Sequence, residues 1–388
     1  MIEIKEKEKC SGCSACYNIC PVGAIEMLKD NNGFKYPNVN KDKCIKCNKC
    51  INVCPIINNK REKNESLRKA YACYNKDEQI RLDSSSGGVF TAIALSILNQ
   101  EGVVFGAILD DSFKVKHVAI TNKEELYKLR TSKYVQSDIN DTYKIAEKYL
   151  KEGKKVLFSG TPCQLNGLKS YLSKEYDNLY TQDIICHGVP SPLVWEKYKE
   201  YRKIKDNDVL LDIKFRNKDD GWAKYYLKFK YQQKEYKKNQ SEDLFMQAFL
   251  RDACLRESCY NCSFKAKDRK TDITLADFWG IDNIKPEIND NKGLSLVIVN
   301  TKKGMDVFEL IKKDLFIEEV DFEQSIQYNK SMFMSVDKPK NRDKFFENLN
   351  KLKFDKLVKK YTVDKQGNII KRILRKIKKI VKKTLKIK

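Results

Sequence analysis

A small cysteine-rich α+β domain followed by a larger α/β body with a largely parallel sheet is the architecture that three features of this 388-residue chain predict. Eight of its fourteen cysteines fall within the first 54 residues, in two copies of one spaced run. Beyond residue 70, short apolar runs alternate with stretches of helical periodicity, as in strands joined by crossover helices. Between the two lies Asn58 to Arg68, a polar stretch with no periodic apolar face, which marks a domain boundary. The divisions expected are 1–57 for the cysteine domain, 58–69 for a linker, 70–345 for the body, and 346–388 for a C-terminal helical segment with a basic tail.

In the first domain, Cys10, Cys13, Cys16 and Cys20 precede Pro21, and Cys44, Cys47, Cys50 and Cys54 precede Pro55. This C-x-x-C-x-x-C-x-x-x-C-P run resembles that of bacterial two-cluster ferredoxins, where each run gives three thiolates to one [4Fe-4S] cluster and its fourth to the other. The pattern assigns Cys10, Cys13, Cys16 and Cys54 to one cluster, and Cys44, Cys47, Cys50 and Cys20 to its twin. Spacings of two wrap three thiolates around one cube, and the proline ends the loop before a helix draws the fourth sulfur away. A zinc site takes four tetrahedral ligands and has no use for that fourth cysteine and proline. A disulfide framework suits an oxidising compartment, whereas the absence of a signal peptide or a bilayer-length apolar run points to a reducing, cytoplasmic one.

The body opens with Ser84, Ser85, Ser86, Gly87 and Gly88 ahead of an apolar helix (Val89, Phe90, Ile93, Ala94, Ile97, Leu98), read as a serine-capped helix with a glycine-lined end suited to phosphate. Strands are expected at 103–109 and 115–120, then an amphipathic helix over 141–152 that stops at Gly153. A buried strand at 155–159 runs into Gly160-Thr161-Pro162-Cys163-Gln164 and a helix. A second, at 180–185, runs into Cys186-His187-Gly188-Val189-Pro190-Ser191-Pro192 and another helix. In a parallel sheet, ligands bind at the carboxyl ends of the strands, so Cys163 and Cys186 share that edge. A hairpin spans 215–231 around Asp219-Asp220-Gly221, a helix covers 242–251, and a strand covers 273–279.

Outside the first domain stand Cys73, Cys163, Cys186, Cys254, Cys259 and Cys262. Cys259 and Cys262 form a C-x-x-C pair able to grip a metal centre, or else a redox dithiol among buried small side chains. Spacing alone does not bring the distant ones together. The ordered motifs Ser86-Gly87-Gly88, Ser132-Lys133-Tyr134-Val135-Gln136-Ser137, Gly160 to Gln164, Cys186 to Pro192, Phe215-Arg216-Asn217-Lys218 with Gly221-Trp222, and Ser258 to Cys262 with Asp272-Ile273-Thr274 and Asp277-Phe278-Trp279-Gly280 resemble the beta subunit of coenzyme F420-reducing hydrogenase and formate dehydrogenase.

That resemblance implies an α/β flavin-binding body holding FAD and a third [4Fe-4S] cluster on Cys163, Cys186, Cys259 and Cys262, with Cys254 as the competing ligand to Cys259. It implies a flavin pocket made by Ser86, Gly87, Gly88, Ser132, Lys133, Tyr134, Gln136 and Ser137, with Thr161 and Gln164 close by. His187 is a candidate proton relay and Lys133 a candidate partner for reduced flavin or its phosphate; each is also readable as an ordinary structural side chain. The expected activity is that of an FAD-dependent iron-sulfur oxidoreductase, exchanging electrons with a redox partner protein or a small-molecule hydride or electron carrier. The alternative is a non-catalytic electron-transfer subunit of a larger redox complex. Nothing in the motifs distinguishes coenzyme F420 from another acceptor.

The formal charge of +23 is concentrated at one end: residues 368–388 carry ten lysines and arginines and no acid. Ile370, Ile373, Leu374, Ile377, Ile380, Val381 and Leu385 recur there at helical steps, predicting an amphipathic helix that lies on an anionic membrane surface. This adds peripheral membrane contact to a cytoplasmic location. No nucleic-acid module accompanies the charge, and no nucleic-acid partner is expected.

Overall fold

The computed structural model describes residues 1–58 and 67–362. In the first domain, two short helices, Ala15–Ile19 and Lys49–Asn52, flank a hairpin of β1 (Ile25–Lys29) and β2 (Lys35–Val39), paired with Ile25 opposite Val39. Each helix follows its spaced cysteines from a left-handed residue, Ser14 at φ 63° and Asn48 at φ 59°. The buried centre is Ile2, Cys16, Ile25, Cys50 and Cys54, so thiols stand where a larger domain has aliphatic side chains. A domain this small buries a limited apolar surface and is marginal by that measure.

The body strands are β3 (Lys69–Asn75), β4 (Val103–Leu109), β5 (Val115–Ile120), β6 (Val156–Gly160), β7 (Leu179–Ile184), β8 (Leu210–Asn217), β9 (Tyr226–Tyr231), β10 (Glu235–Asn239), β11 (Ile273–Asp277), β12 (Ser295–Val299) and β13 (Leu315–Val320). Eight form one mixed sheet in the order β13-β3-β12-β11-β7-β6-β4-β5. Its central strands β11, β7, β6 and β4 are mutually parallel, and the outer pairings on both sides are antiparallel. The parallel centre follows from crossover helices: Pro162–Leu172 links β6 to β7, and the carboxyl ends of both strands emerge on one edge.

Local chemistry fixes these joints. The helix after β6 starts in a capping box, Thr161 with Gln164, and has Pro162 in its first turn, where no amide donor is needed. The helix Pro192–Asp206 is capped by the Ser191 hydroxyl, which accepts from the Leu193 and Val194 amides. The amphipathic helix expected near 141–152 occupies Thr142–Lys151, with Tyr143, Ala146 and Leu150 facing the core.

Three expectations change. The helix Val89–Leu98 is not serine-capped: its cap is Gly88 at φ 82°, and the serines form the loop before it. Ser86 Oγ donates to the Leu294 carbonyl and the Gly87 amide donates to Ser295 Oγ, so this loop is sewn to the start of β12. The expected hairpin belongs to a separate three-stranded sheet, β10-β9-β8, with Trp222 and Tyr225 in its connection. Helices Arg342–Glu347 and Phe354–Tyr361 share a core with Trp195, Tyr198 and Phe245, so the body continues past residue 345.

The two domains meet along a packed seam. Phe34, 1% exposed, enters the body core beside Val194 and Trp195, and its ring lies 6.3 Å from that of Phe346. Burying one such side chain contributes about 1.5–3 kcal/mol. The helix after β6 approaches so closely that a Cβ at Gly167 would lie 2.8 Å from Cys13 Cβ. No helix among the described residues is long and apolar enough to cross a membrane. The tail at 368–388 lies outside the described residues.

Candidate cofactor sites

The thiols fall into groups. In the first domain, burial pushes Cys13 up to about 12 and Cys16 well above its usual value, and repulsion from neighbouring thiols, Cys10 and Cys54 among them, adds to both. Cys54 from the second run thus stands among the neighbours of Cys13 and Cys16 of the first. Backbone donors already aim at sulfur: the Ile2 amide lies 3.3 Å from Cys50 Sγ, and the Ala24 amide 3.2 Å from Cys20 Sγ. Several thiolates buried together repel one another, so the donor set suits a multi-iron centre that supplies positive charge.

Cys163, Cys186, Cys259 and Cys262 line one cavity at the carboxyl edge of β6 and β7. Burial raises Cys163 far above its ordinary value, and Cys262, Cys186 and Cys259 add repulsion, which places the four together. Burial likewise pushes Cys186 up to about 12 and Cys259 to about 11. Thr161 Oγ1 is 3.1 Å from Cys163 Sγ, and the Val189 amide donates to Cys259 Sγ at 3.5 Å. Among the described residues, no three Cys, His, Asp or Glu side chains enclose a point suited to a metal ion. Cys254 is elsewhere, fully buried in the aromatic core with Phe245 and Phe249, and Cys73 is buried within β3.

Beside the thiol cavity opens a larger one of about 840 Å³, within the range of small-molecule and cofactor pockets. Cys186, His187, Gly188 and Val189 line both. Of the expected flavin residues, Ser86, Gly88, Ser132, Lys133, Tyr134, Ser137, Thr161 and Gln164 line the larger cavity. Gly87 and Gln136 do not. Gly87 packs against β3, where a Cβ would lie 2.4 Å from the Cys73 carbonyl oxygen. Gln136 turns to the seam, donating to the Ser11 carbonyl and accepting from Arg256.

The electrostatics of this cavity favour anionic groups. Lys133 Nζ donates to the Lys128 and Arg130 carbonyls, and burial lowers its ammonium to about 7. Arg130 and Arg216 line the wall, and the Nε of each is buried without a partner among the described residues. Arg216 donates to Asp277 at 2.5 and 3.2 Å, and Trp222 Nε1 donates to the same carboxylate at 2.7 Å. Trp222 and Trp279 stack at 4.9 Å. Lys218 donates to the Arg81, Ser86 and Lys292 carbonyls, so the hairpin loop clamps the serine loop.

The residues that sequence reasoning missed here are Arg130 and Tyr225; the Phe215-Arg216-Asn217-Lys218 motif carried the signal for Arg216 and Lys218 without revealing their work. His187 Nε2 is 2.6 Å from Asp252 Oδ1 and its Nδ1 is 3.4 Å from Ser331 Oγ. Those two contacts orient the ring. His117 lies in β5 and also reaches the cavity wall; its Nε2 is 3.0 Å from the Ser159 carbonyl.

Comparison with known proteins accords with this layout. Residues 70–144 match the N-terminal part, and 153–325 the C-terminal part, of the family described as coenzyme F420 hydrogenase/dehydrogenase, beta subunit. Residues 9–57 match a 4Fe-4S dicluster domain. The chain is 28% identical over 206 residues to the coenzyme F420-dependent sulfite reductase of Methanocaldococcus jannaschii, covering 49% of this chain and 30% of that protein. An uncharacterized ferredoxin of the same organism is 48% identical over 33 residues, 8% of this chain and 43% of that one. The chain thus spans less than half the length of these curated relatives. A chain of the F420-reducing [NiFe] hydrogenase complex from Methanosarcina barkeri aligns at 14% identity with a TM-score of 0.44, covering 69% of this chain and 91% of that one. With the two halves of one family in order behind a dicluster domain, the chain belongs to the coenzyme F420 hydrogenase/dehydrogenase beta subunit family and carries an N-terminal 4Fe-4S dicluster domain.

Proposed function

We propose that this protein is an iron-sulfur flavoprotein oxidoreductase, passing electrons between a donor or acceptor at FAD and three [4Fe-4S] clusters that lead to a partner protein. The observation that carries this reading is the continuity of the sites. The cavity at the strand ends shares Cys186 to Val189 with the four-thiol cavity, and the latter is closed on its other side by Glu8, Ser11 and Ile56 of the cysteine domain.

FAD, when bound, supplies the step between two-electron and one-electron chemistry. The chain's own residues do the rest. Lys133, Arg130 and the hydroxyl of Ser132 hold negative charge at one wall. Arg216, fixed by Asp277 and flanked by Tyr225 4.0 Å from its guanidinium, shapes another. His187, held by Asp252, holds a proton at the junction of the two cavities. Cys163, Cys186, Cys259 and Cys262 hold the third cluster; Cys10, Cys13, Cys16 and Cys54 the proximal ferredoxin cluster; and Cys44, Cys47, Cys50 and Cys20 the distal one.

Iron, sulfide and flavin analysis tests the reading. It requires about twelve iron atoms and one FAD per chain, counting four irons per cubane. About eight iron atoms without flavin would reject it.

A further inference from the structure

Resting on that electron-transfer reading, we propose that the loop of residues 41–49 is the docking surface for an acidic one-electron carrier protein. Lys41, Lys43, Lys46 and Lys49 are all exposed on this loop, with Asp42 as its one acid. None of the four lysines has an ion pair among the described residues, whereas Lys7 and Lys9 of the same domain are paired with Asp30 and Glu6. The first residues are mixed in sign, with Glu3, Glu6 and Glu8 interleaved with Lys5, Lys7 and Lys9, whereas the loop is basic but for Asp42.

The same loop brings the redox centre to solvent. Cys47 is the exposed cysteine among the described residues, whereas Cys13, Cys16, Cys50 and Cys54 are buried. Ile45, 61% exposed, stands between Cys44 and Lys46 in the chain and offers an apolar contact within the basic loop. An electron crosses only a short gap, so it leaves where a cluster ligand meets the surface. A short loop of unpaired, exposed lysines with one exposed apolar side chain suits a transient complex that forms fast and separates fast, with charge steering the encounter. A partner with acids around its own redox centre complements this face.

The test uses full-length protein with its clusters and, as probe, a reduced acidic plant-type [2Fe-2S] ferredoxin in stopped flow. The variant K41E/K43E/K46E should lower the second-order rate at low ionic strength by at least about tenfold, and the difference should shrink towards nothing in 0.5 M salt as in any steered encounter, with a Debye length of only about 4 Å there. A basic c-type cytochrome should show the reverse order, and exchange with a small uncharged quinone should not change. If K41E/K43E/K46E loses iron, K41Q/K43Q/K46Q carries the same test with a loss of roughly threefold. Retained iron with unchanged rates from the acidic ferredoxin overturns the docking surface and leaves the electron-transfer reading intact. Wild-type protein that takes up no iron overturns both.

Discussion

Arg256 gives the sharpest handle on the path between the domains. Its guanidinium, 1% exposed, donates to the Cys10 carbonyl at 2.8 Å, the Lys35 carbonyl at 3.0 Å and Gln136 at 3.1 Å, and lies 3.6 Å from Cys10 Sγ. The Cys259 amide in turn donates to the Arg256 carbonyl, so one residue touches a proposed ligand of the proximal cluster and a proposed ligand of the third. Reduction adds negative charge beside a fixed positive one. At 3.6 Å and an effective dielectric constant of 20, a full charge pair is worth about 5 kcal/mol. That sets a ceiling of roughly 200 mV, since about 59 mV corresponds to 1.4 kcal/mol for one electron. The added electron is shared over the whole cubane, so Arg256→Gln should move the proximal cluster more negative by roughly 50–100 mV. Arg256→Lys should recover part of the shift. Potentiometric EPR on the full chain reads both ferredoxin clusters at once. A proximal potential unmoved in Arg256→Gln with both clusters present, or an equal shift in both, would refute the argument.

Cys163→Ser should remove about four iron atoms and spare the ferredoxin pair, while Cys73→Ser, buried in β3, should lose stability but no iron; iron assays on both separate the cases. Gly87→Ala should lower the melting temperature before it affects flavin directly, because the added Cβ meets the Cys73 carbonyl rather than the cavity; loss of flavin at unchanged stability would count against this. Burial lowers His117 to about 4 from an unfolded value near 6.5. The unfolded chain therefore binds more protons between those values, and stability is present above pH 6.5 and lost as pH falls towards 4, by up to about 3 kcal/mol from this group. His117→Phe, which keeps the stacking on Phe158, should flatten that slope in urea titrations at pH 4.5 and 6.5. Deleting 368–388 should abolish sedimentation with anionic liposomes while iron and flavin stay bound; equal sedimentation of both forms would end the membrane proposal.

The parts legible in the sequence were those written in local grammar. Strands at 103–109 and 115–120 are found there because the first is a compact apolar run and the second a short run rich in valine and isoleucine, each with glycine or polar residues at its ends. The outer half of the large sheet was not legible: β3 pairs with β12 and β13, more than 200 residues away, and nothing local announces such partners. Ser84 to Gly88 looked like a helix cap because serine and glycine serve both caps and loops. What decided it was Ser295 and Leu294, again distant in sequence. Gln136 sits in a pocket-lining motif yet faces the other way, since a strip of loop has two sides and the sequence does not label them.

The packed seam between the domains has a consequence for how such chains can be recombined. Phe34 is part of the body's core, Gly167 leaves room for Cys13, and Arg256 is tied to two carbonyls of the cysteine domain. The cysteine domain is therefore not a cassette to be exchanged at the linker. A graft from another two-cluster protein would need the matching aromatic, the matching gap and the matching guanidinium acceptors, or its clusters would be present but out of register with the site they are meant to drain.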